Sequence, residues 1–154
     1  MIWLLACTKT VHDSGPVVTE CGRLSEYPGT AFDFEPVEWP EGRSLYGPEP
    51  PDQVHDAGPE WETFLDVHGR TDPVPGMDWE GKDVLLWVGG YHGCGRRTYD
   101  WPEGFVVGDT RTVLGFYEEV EGDCPDLLWE EAWVFIADEV EGAPEGDICS
   151  ELAE

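Results

Sequence analysis

The sequence has little positive charge. Eight Lys and Arg residues stand against 34 Asp and Glu in 154 residues, a formal net charge of -26 with only two lysines, Lys9 and Lys82. Sequence-independent affinity for nucleic acid comes from cationic neutralisation of phosphates, so this composition argues against nucleic-acid binding. Long hydrophobic runs are also missing: none approaches the roughly 18 residues of a membrane-spanning helix, so the expected body is a soluble domain. Catalytic signatures are sparse as well. Ser14 lies outside any Gly-x-Ser-x-Gly elbow, and His12, His55, His68 and His92 show no His-Glu-x-x-His spacing. The Gly-rich run Gly89 to Gly95 lacks the Gly-x-x-x-x-Gly-Lys phosphate loop, and no Cys-x-x-Cys pair marks a zinc site. With 34 acids, no pair of carboxylates stands out as a glycosidase acid and base. The expectation is a non-enzymatic protein without a cofactor. Calcium at acidic loops such as Asp123 to Asp126 is the one ion worth weighing, against an absent Asp-x-Asp-x-Asp-Gly pattern. Self-repulsion of this size destabilises a compact state unless ions screen it, which points to a salty or cation-rich exterior; the alternative is that acidity serves solubility alone.

What the chain does carry begins with cysteine. Leu4-Leu5-Ala6-Cys7 resembles the bacterial lipobox, which makes Cys7 the expected lipidation site. Met1 to Leu5 is shorter than a complete signal peptide, so this reading places the true start upstream. Residues 1–6 then read as a signal-peptide remnant, 7–30 as a lipidated polar tether broken by Ser14-Gly15-Pro16 and Pro28-Gly29, and 31–154 as a single β-rich domain. A buried first strand is the competing reading of the opening residues. Lipidation of Cys7 leaves Cys21, Cys94, Cys124 and Cys149, an even number that suits an exported, oxidising setting. Among three possible connectivities, the expected pairs are Cys94 with Cys124 and Cys21 with Cys149. The first pair joins loop positions flanking the same predicted strands, and the second ties the chain ends.

Ala31 to Glu35 alternates apolar with acidic residues, a strand that Pro36 confines to an edge or an ending. Gln53 to His55 reads as a short strand after a Pro- and Gly-rich loop. The segment from Gly58 to Gly69 predicts a helix near residues 59–68. Pro59 suits its first turn, Gly69 its closure, and Trp61, Phe64, Leu65 and His68 share one face. His68 reads as a C-terminal capping or partly buried residue rather than a ligand. Asp83 to Val88 is a continuous apolar run bounded by glycines, expected as a central strand covered on both sides. Arg111 to Val120 and Leu127 to Ala137 predict two more strands, with shorter ones at Thr98 to Trp101 and Gly104 to Val107 around Pro102. The acidic end from Glu139 offers only Ile148 and Cys149 for docking. Runs of strands with a single helix predict a mainly β, α+β domain: a small antiparallel sandwich or partial barrel with one packed helix.

Eight tryptophans are many for such a chain. Trp61, Trp87 and Trp133 fall on apolar faces and are expected in the core, whereas Trp39, Trp79 and Trp101 border loops and are candidate binding residues, together with Tyr91 and His92 of the Gly-rich turn.

The order Trp61 to Leu65, then Met77-Asp78-Trp79-Glu80, then Val84 to Val88, then Gly89-Gly90-Tyr91 resembles the C-terminal domain of PrcB-type protease-complex lipoproteins, over about residues 53–137. Cys124-Pro125 and Trp133 to Ile136 are compatible with that pattern, while His92 to Gly95 are an addition to it. The resemblance implies a non-enzymatic cell-envelope β domain, of a kind that in the family's namesake accompanies and stabilises a protease; it identifies no protease here and supplies no catalytic residues. Thr8 after Cys7, in place of an inner-membrane retention Asp, favours an outer-membrane anchor facing the periplasm or the surface. The function expected from the sequence is therefore a protein-interaction or stabilising module on a lipid anchor. The alternatives are a carbohydrate- or cation-binding module, and an uncharacterised hydrolase that would need His55 or His92 in a cleft with a carboxylate and a hydroxyl.

Overall fold

The computed structural model describes residues 29–39, 53–54, 57–93, 96–120, 127–141 and 145–153. Among these residues, eight strands and one helix follow in order: β1 (Thr30–Phe32), β2 (Phe34–Glu38), β3 (Gln53–Val54), α1 (Ala57–His68), β4 (Lys82–Gly93), β5 (Arg96–Val107), β6 (Thr110–Val120), β7 (Leu127–Asp138) and β8 (Glu145–Leu152). They form two four-stranded sheets, β1-β5-β6-β8 and β2-β7-β4-β3. The fold is thus the mainly β sandwich with one packed helix that the strand pattern predicts, and not a closed barrel.

Sequence alternation builds three layers. In β4, Val84, Leu86 and Val88 face α1, while Leu85 and Trp87 face the other sheet, so the apolar run is covered on both sides. β7 repeats the division, with Ala132, Val134 and Ile136 toward the helix and Trp133 and Phe135 toward the sandwich interior. The helix inserts Trp61, Phe64 and Leu65, with Trp61 and Phe64 rings stacked at 5.4 Å. Its end is a Schellman closure: the Arg70 N–H donates to the Leu65 carbonyl at 2.8 Å and the Gly69 N–H to that of Asp66 at 3.1 Å. Gly69, at φ 60°, takes the left-handed conformation that this closure needs. His68 lies half-buried at the same end, its ring 4.5 Å from that of Phe64.

The predicted strand at Ala31 to Glu35 is two strands. The chain pairs with β5 through β1, passes Asp33, and then pairs with β7 through β2, so a single extended segment stitches both sheets along one side. Phe32 and Phe34 both point into the interior, 6.0 Å apart. Pro36 lies in β2, an edge strand, where its missing N–H costs no ladder bond.

Three further expectations are corrected. The two short strands around Pro102 are one strand, β5, with a register shift between Asp100 and Glu103 that absorbs the proline. The acidic C-terminal segment forms β8, which runs parallel to β6 with Cys149 opposite Leu114, so the sandwich is not wholly antiparallel. Its alternation was diluted by Glu and Gly, and a parallel partner far back in the chain leaves no hairpin signal. Trp39 and Trp101, expected at the surface, are 3% and 7% exposed. Trp39 extends β2, its N–H donating to the Ala132 carbonyl at 2.8 Å, and packs beside Trp61. Trp101 lies in β5 among Phe135, Trp87 and Tyr99. A following proline marked both as loop residues, but each occupies an inward strand position.

One ionic contact crosses the sandwich interior. Arg111 of β6 donates through Nη2 to Oδ2 of Asp83 in β4, and both side chains are fully buried. The guanidinium carbon lies 5.7 Å from the centre of the Phe32 ring.

Candidate binding cleft

Where β1 ends, the sandwich opens. A cleft of about 230 Å³ is lined by Glu38 of β2, Arg97, Thr98 and Tyr99 of β5, and Glu131 and Trp133 of β7. Register explains the grouping. Glu38 is paired with Trp133, and both share the inward face of their sheet with Glu131. On β5, Arg97 and Tyr99 alternate inward with Trp101. The charged residues at this end continue the same inward faces that carry the core.

The floor is aromatic. Tyr99 stacks on Trp101 at 5.2 Å and 6°, and meets Trp133 edge-on at 6.0 Å and Trp87 at 5.2 Å. Trp133 is half-buried, and its indole Nε1, shielded from solvent, has no hydrogen-bond partner among the described residues. A buried donor of this kind favours an incoming acceptor.

Arg97 organises the rim. Its Nη2 donates to Glu119 Oε1 at 3.1 Å, and its guanidinium lies 4.5 Å from the centre of the Tyr117 ring. Burial works against its charge, but the hydrogen bond with Tyr99 and the fields of Tyr117, Tyr99 and Glu119 outweigh that, so its pKa is raised. The Tyr99 phenol is pushed up to about 12, chiefly by burial, with Glu131 and Tyr117 adding to the rise and Arg97 opposing it. Arg97 therefore stays charged and Tyr99 neutral across physiological pH. Both hold fixed hydrogen-bonding roles, and neither is tuned for proton transfer near neutrality.

Trp133, expected in the core, lines this cleft, whereas of the candidate binding residues none whose side chain is described does. Trp39 and Trp101 are core. Trp79 is half-buried on the helix side, 5.7 Å from Trp61. Tyr91 and His92 have backbone positions in β4 opposite Trp129 and Leu128, but their side chains lie outside the described residues, as do His55, Cys7, Cys21, Cys94, Cys124 and the loop from Asp123 to Asp126. Cys149 is buried and disulfide-bonded. Among the described residues, no group of three or more His, Cys, Asp or Glu is arranged to hold a metal ion, and no helix is long and apolar enough to cross a membrane. The cleft residues themselves were overlooked because no motif singles out Arg97 and Trp133 reads as core. The available signal was the period-2 phase of β5, which places Arg97 on the same face as Tyr99 and Trp101.

Compared with models of protein families, with curated proteins and with solved structures, the chain matches none.

Proposed function

We propose that the protein is a non-enzymatic interaction module of the cell envelope, carried on a lipid at Cys7 and engaging a protein partner through the cleft at Glu38, Arg97, Tyr99, Glu131 and Trp133. The cleft carries this reading: a pocket floored by aromatic rings, rimmed by fixed charges and too small to enclose a drug-sized ligand. Pockets that surround drug-sized molecules span roughly 300–1,000 Å³, so about 230 Å³ suits one residue-sized group of something larger. Aromatic side chains beside Arg are the composition of binding hot spots. The resemblance to PrcB-type lipoproteins supports the same reading, with a protease as the partner it implies.

The test places a photo-crosslinking residue at Thr98, on the cleft, or at Glu62, on the exposed face of α1, in the protein expressed from its native locus. A protein adduct at Thr98 and none at Glu62 is expected, on a chain whose intact mass shows cleavage before Cys7 and an acyl group. Absence of any protein adduct at Thr98 overturns the interaction reading.

A second reading has its own observation. The mixture of donors (Arg97, the Trp133 indole) and acceptors (Glu38, Glu131) over aromatic rings also suits a sugar hydroxyl array, and quenching of tryptophan fluorescence by glycans without a protein adduct would favour it.

A further inference from the structure

The cleft continues into a sheet edge. β1 runs antiparallel to β5 with Phe32 opposite Gly104, Ala31 opposite Phe105 and Thr30 opposite Val106. At Asp33 the chain then leaves for the second sheet. From Arg96 to Glu103, β5 has only β6 hydrogen-bonded to it among the described residues, with β2 approaching from the other sheet. The line of β1, extended forward, runs along this stretch and across the mouth of the cleft. Among the described residues it is a strand position that the chain begins to fill and then leaves.

We propose that this position takes an extended, basic segment of a partner protein, which pairs with β5 over Arg96 to Asp100 and places one Lys or Arg side chain in the cleft. The inference rests on the interaction reading above and names the chemistry of the partner. Three observations carry it. Strand addition uses the main-chain groups of an exposed edge for affinity and a pocket for an alternate side chain for specificity, and here edge and pocket adjoin. The pocket is of one-side-chain size, with aromatic stems against which an aliphatic chain packs and carboxylates at Glu38 and Glu131 to meet its charge. The surroundings are acidic: Asp100 and Glu103 lie along β5, Glu118 and Glu119 on β6, and the whole chain carries -26. Arg97, the one cation among the described residues that line the cleft, is engaged by Glu119 and Tyr99. Pro102 and the register shift after Asp100 end the pairing zone, since proline gives no donor to a ladder.

The experiment adds three nine-residue peptides to the full chain: one alternating Lys with Val, one alternating Glu with Val, and the Lys peptide with every second amide N-methylated. Binding is read by tryptophan fluorescence, and its place by amide hydrogen exchange. The Lys peptide is expected to bind, more weakly as salt rises, and to slow exchange in β5 between Arg96 and Asp100. The Glu peptide is expected not to bind, and N-methylation to weaken binding roughly tenfold through lost main-chain hydrogen bonds. Glu38→Gln, on an exposed edge position, should weaken the Lys peptide several-fold, whereas Glu62→Gln on α1 should leave it unchanged. Equal binding of the N-methylated peptide, protection at another edge, or no binding of the Lys peptide overturns the proposal. A Thr98 adduct in cells with no strand pairing here would leave the interaction reading standing and remove this one alone.

Discussion

The Trp101 ring lies directly on Gly115. A Cβ built on Gly115 would sit 2.1 Å from the ring carbon Cε3 and 2.3 Å from Cζ3. Gly115 faces inward on β6, so its missing side chain is the space that lets a tryptophan lie flat between the sheets. Gly115→Ala is expected to destabilise the fold by about 1–3 kcal/mol through overpacking. Denaturant unfolding measures it, and Trp101→Leu in the same chain should recover part of the loss by making room. Additive losses in the double variant would refute the contact as the cause.

Asp83 and Arg111 predict an asymmetry between breaking their pair and replacing it. Arg111→Met leaves a buried carboxylate without its counter-charge and should cost about 3–5 kcal/mol. Replacing both, as Asp83→Leu with Arg111→Met, should cost markedly less than the sum of the single changes, because the dehydrated charge is gone. Equilibrium unfolding of the four chains gives the coupling directly.

Tyr99 sets an alkaline limit. Its ordinary pKa is 10.0 and the folded value is about 12. Between these values the unfolded chain holds fewer protons at this residue than the folded one, so stability falls as pH rises. The contribution is fully present below pH 10 and is lost through about pH 12. Tyr99→Phe should flatten that part of the stability profile and remove a tyrosinate absorbance that rises near pH 12. An unchanged profile would show that Tyr99 does not titrate late.

Screening should stabilise the fold. With a net charge of -26, chloride salts of sodium are expected to raise the melting temperature as the Debye length shrinks from about 30 Å at 0.01 M to 3 Å at 1 M. A melting temperature flat across that range would mean that the acids are spaced widely enough for solvent alone to manage them.

Gly69 should resist replacement. At φ 60° it closes α1, and Gly69→Ala is expected to cost about 1 kcal/mol although nothing lies within 4 Å of the added methyl. A neutral effect would show that the closure relaxes without the left-handed residue.

The helix and the central strand were legible because their signals are local. Trp61, Phe64 and Leu65 repeat at helical spacing between Pro59 and Gly69, and Val84 to Val88 stands between glycines. β8 was illegible because its partner is β6, thirty-odd positions back and parallel, and its own residues are acidic. Trp39 and Trp101 were misplaced because the prolines after them, Pro40 and Pro102, look like loop markers, whereas Pro102 lies within β5 and Trp39 continues β2 through its bond to Ala132. The cleft was hidden for a different reason. It is formed by three strands from separate parts of the chain, and only their register brings Glu38 against Trp133 and Arg97 above them.

The crossing at Asp33 also bears on how the molecule assembles. β5 with β6 and β4 with β7 can form within the second half of the chain, but β1 and β2 must wait for strands made long after them. Contacts so distant in sequence carry a large loop-closure cost and tend to slow folding. The segment of β1 and β2 is thus placed to act as a late fastening: until it docks, both sheets lack a strand on that side, and its arrival ties the two together in one step.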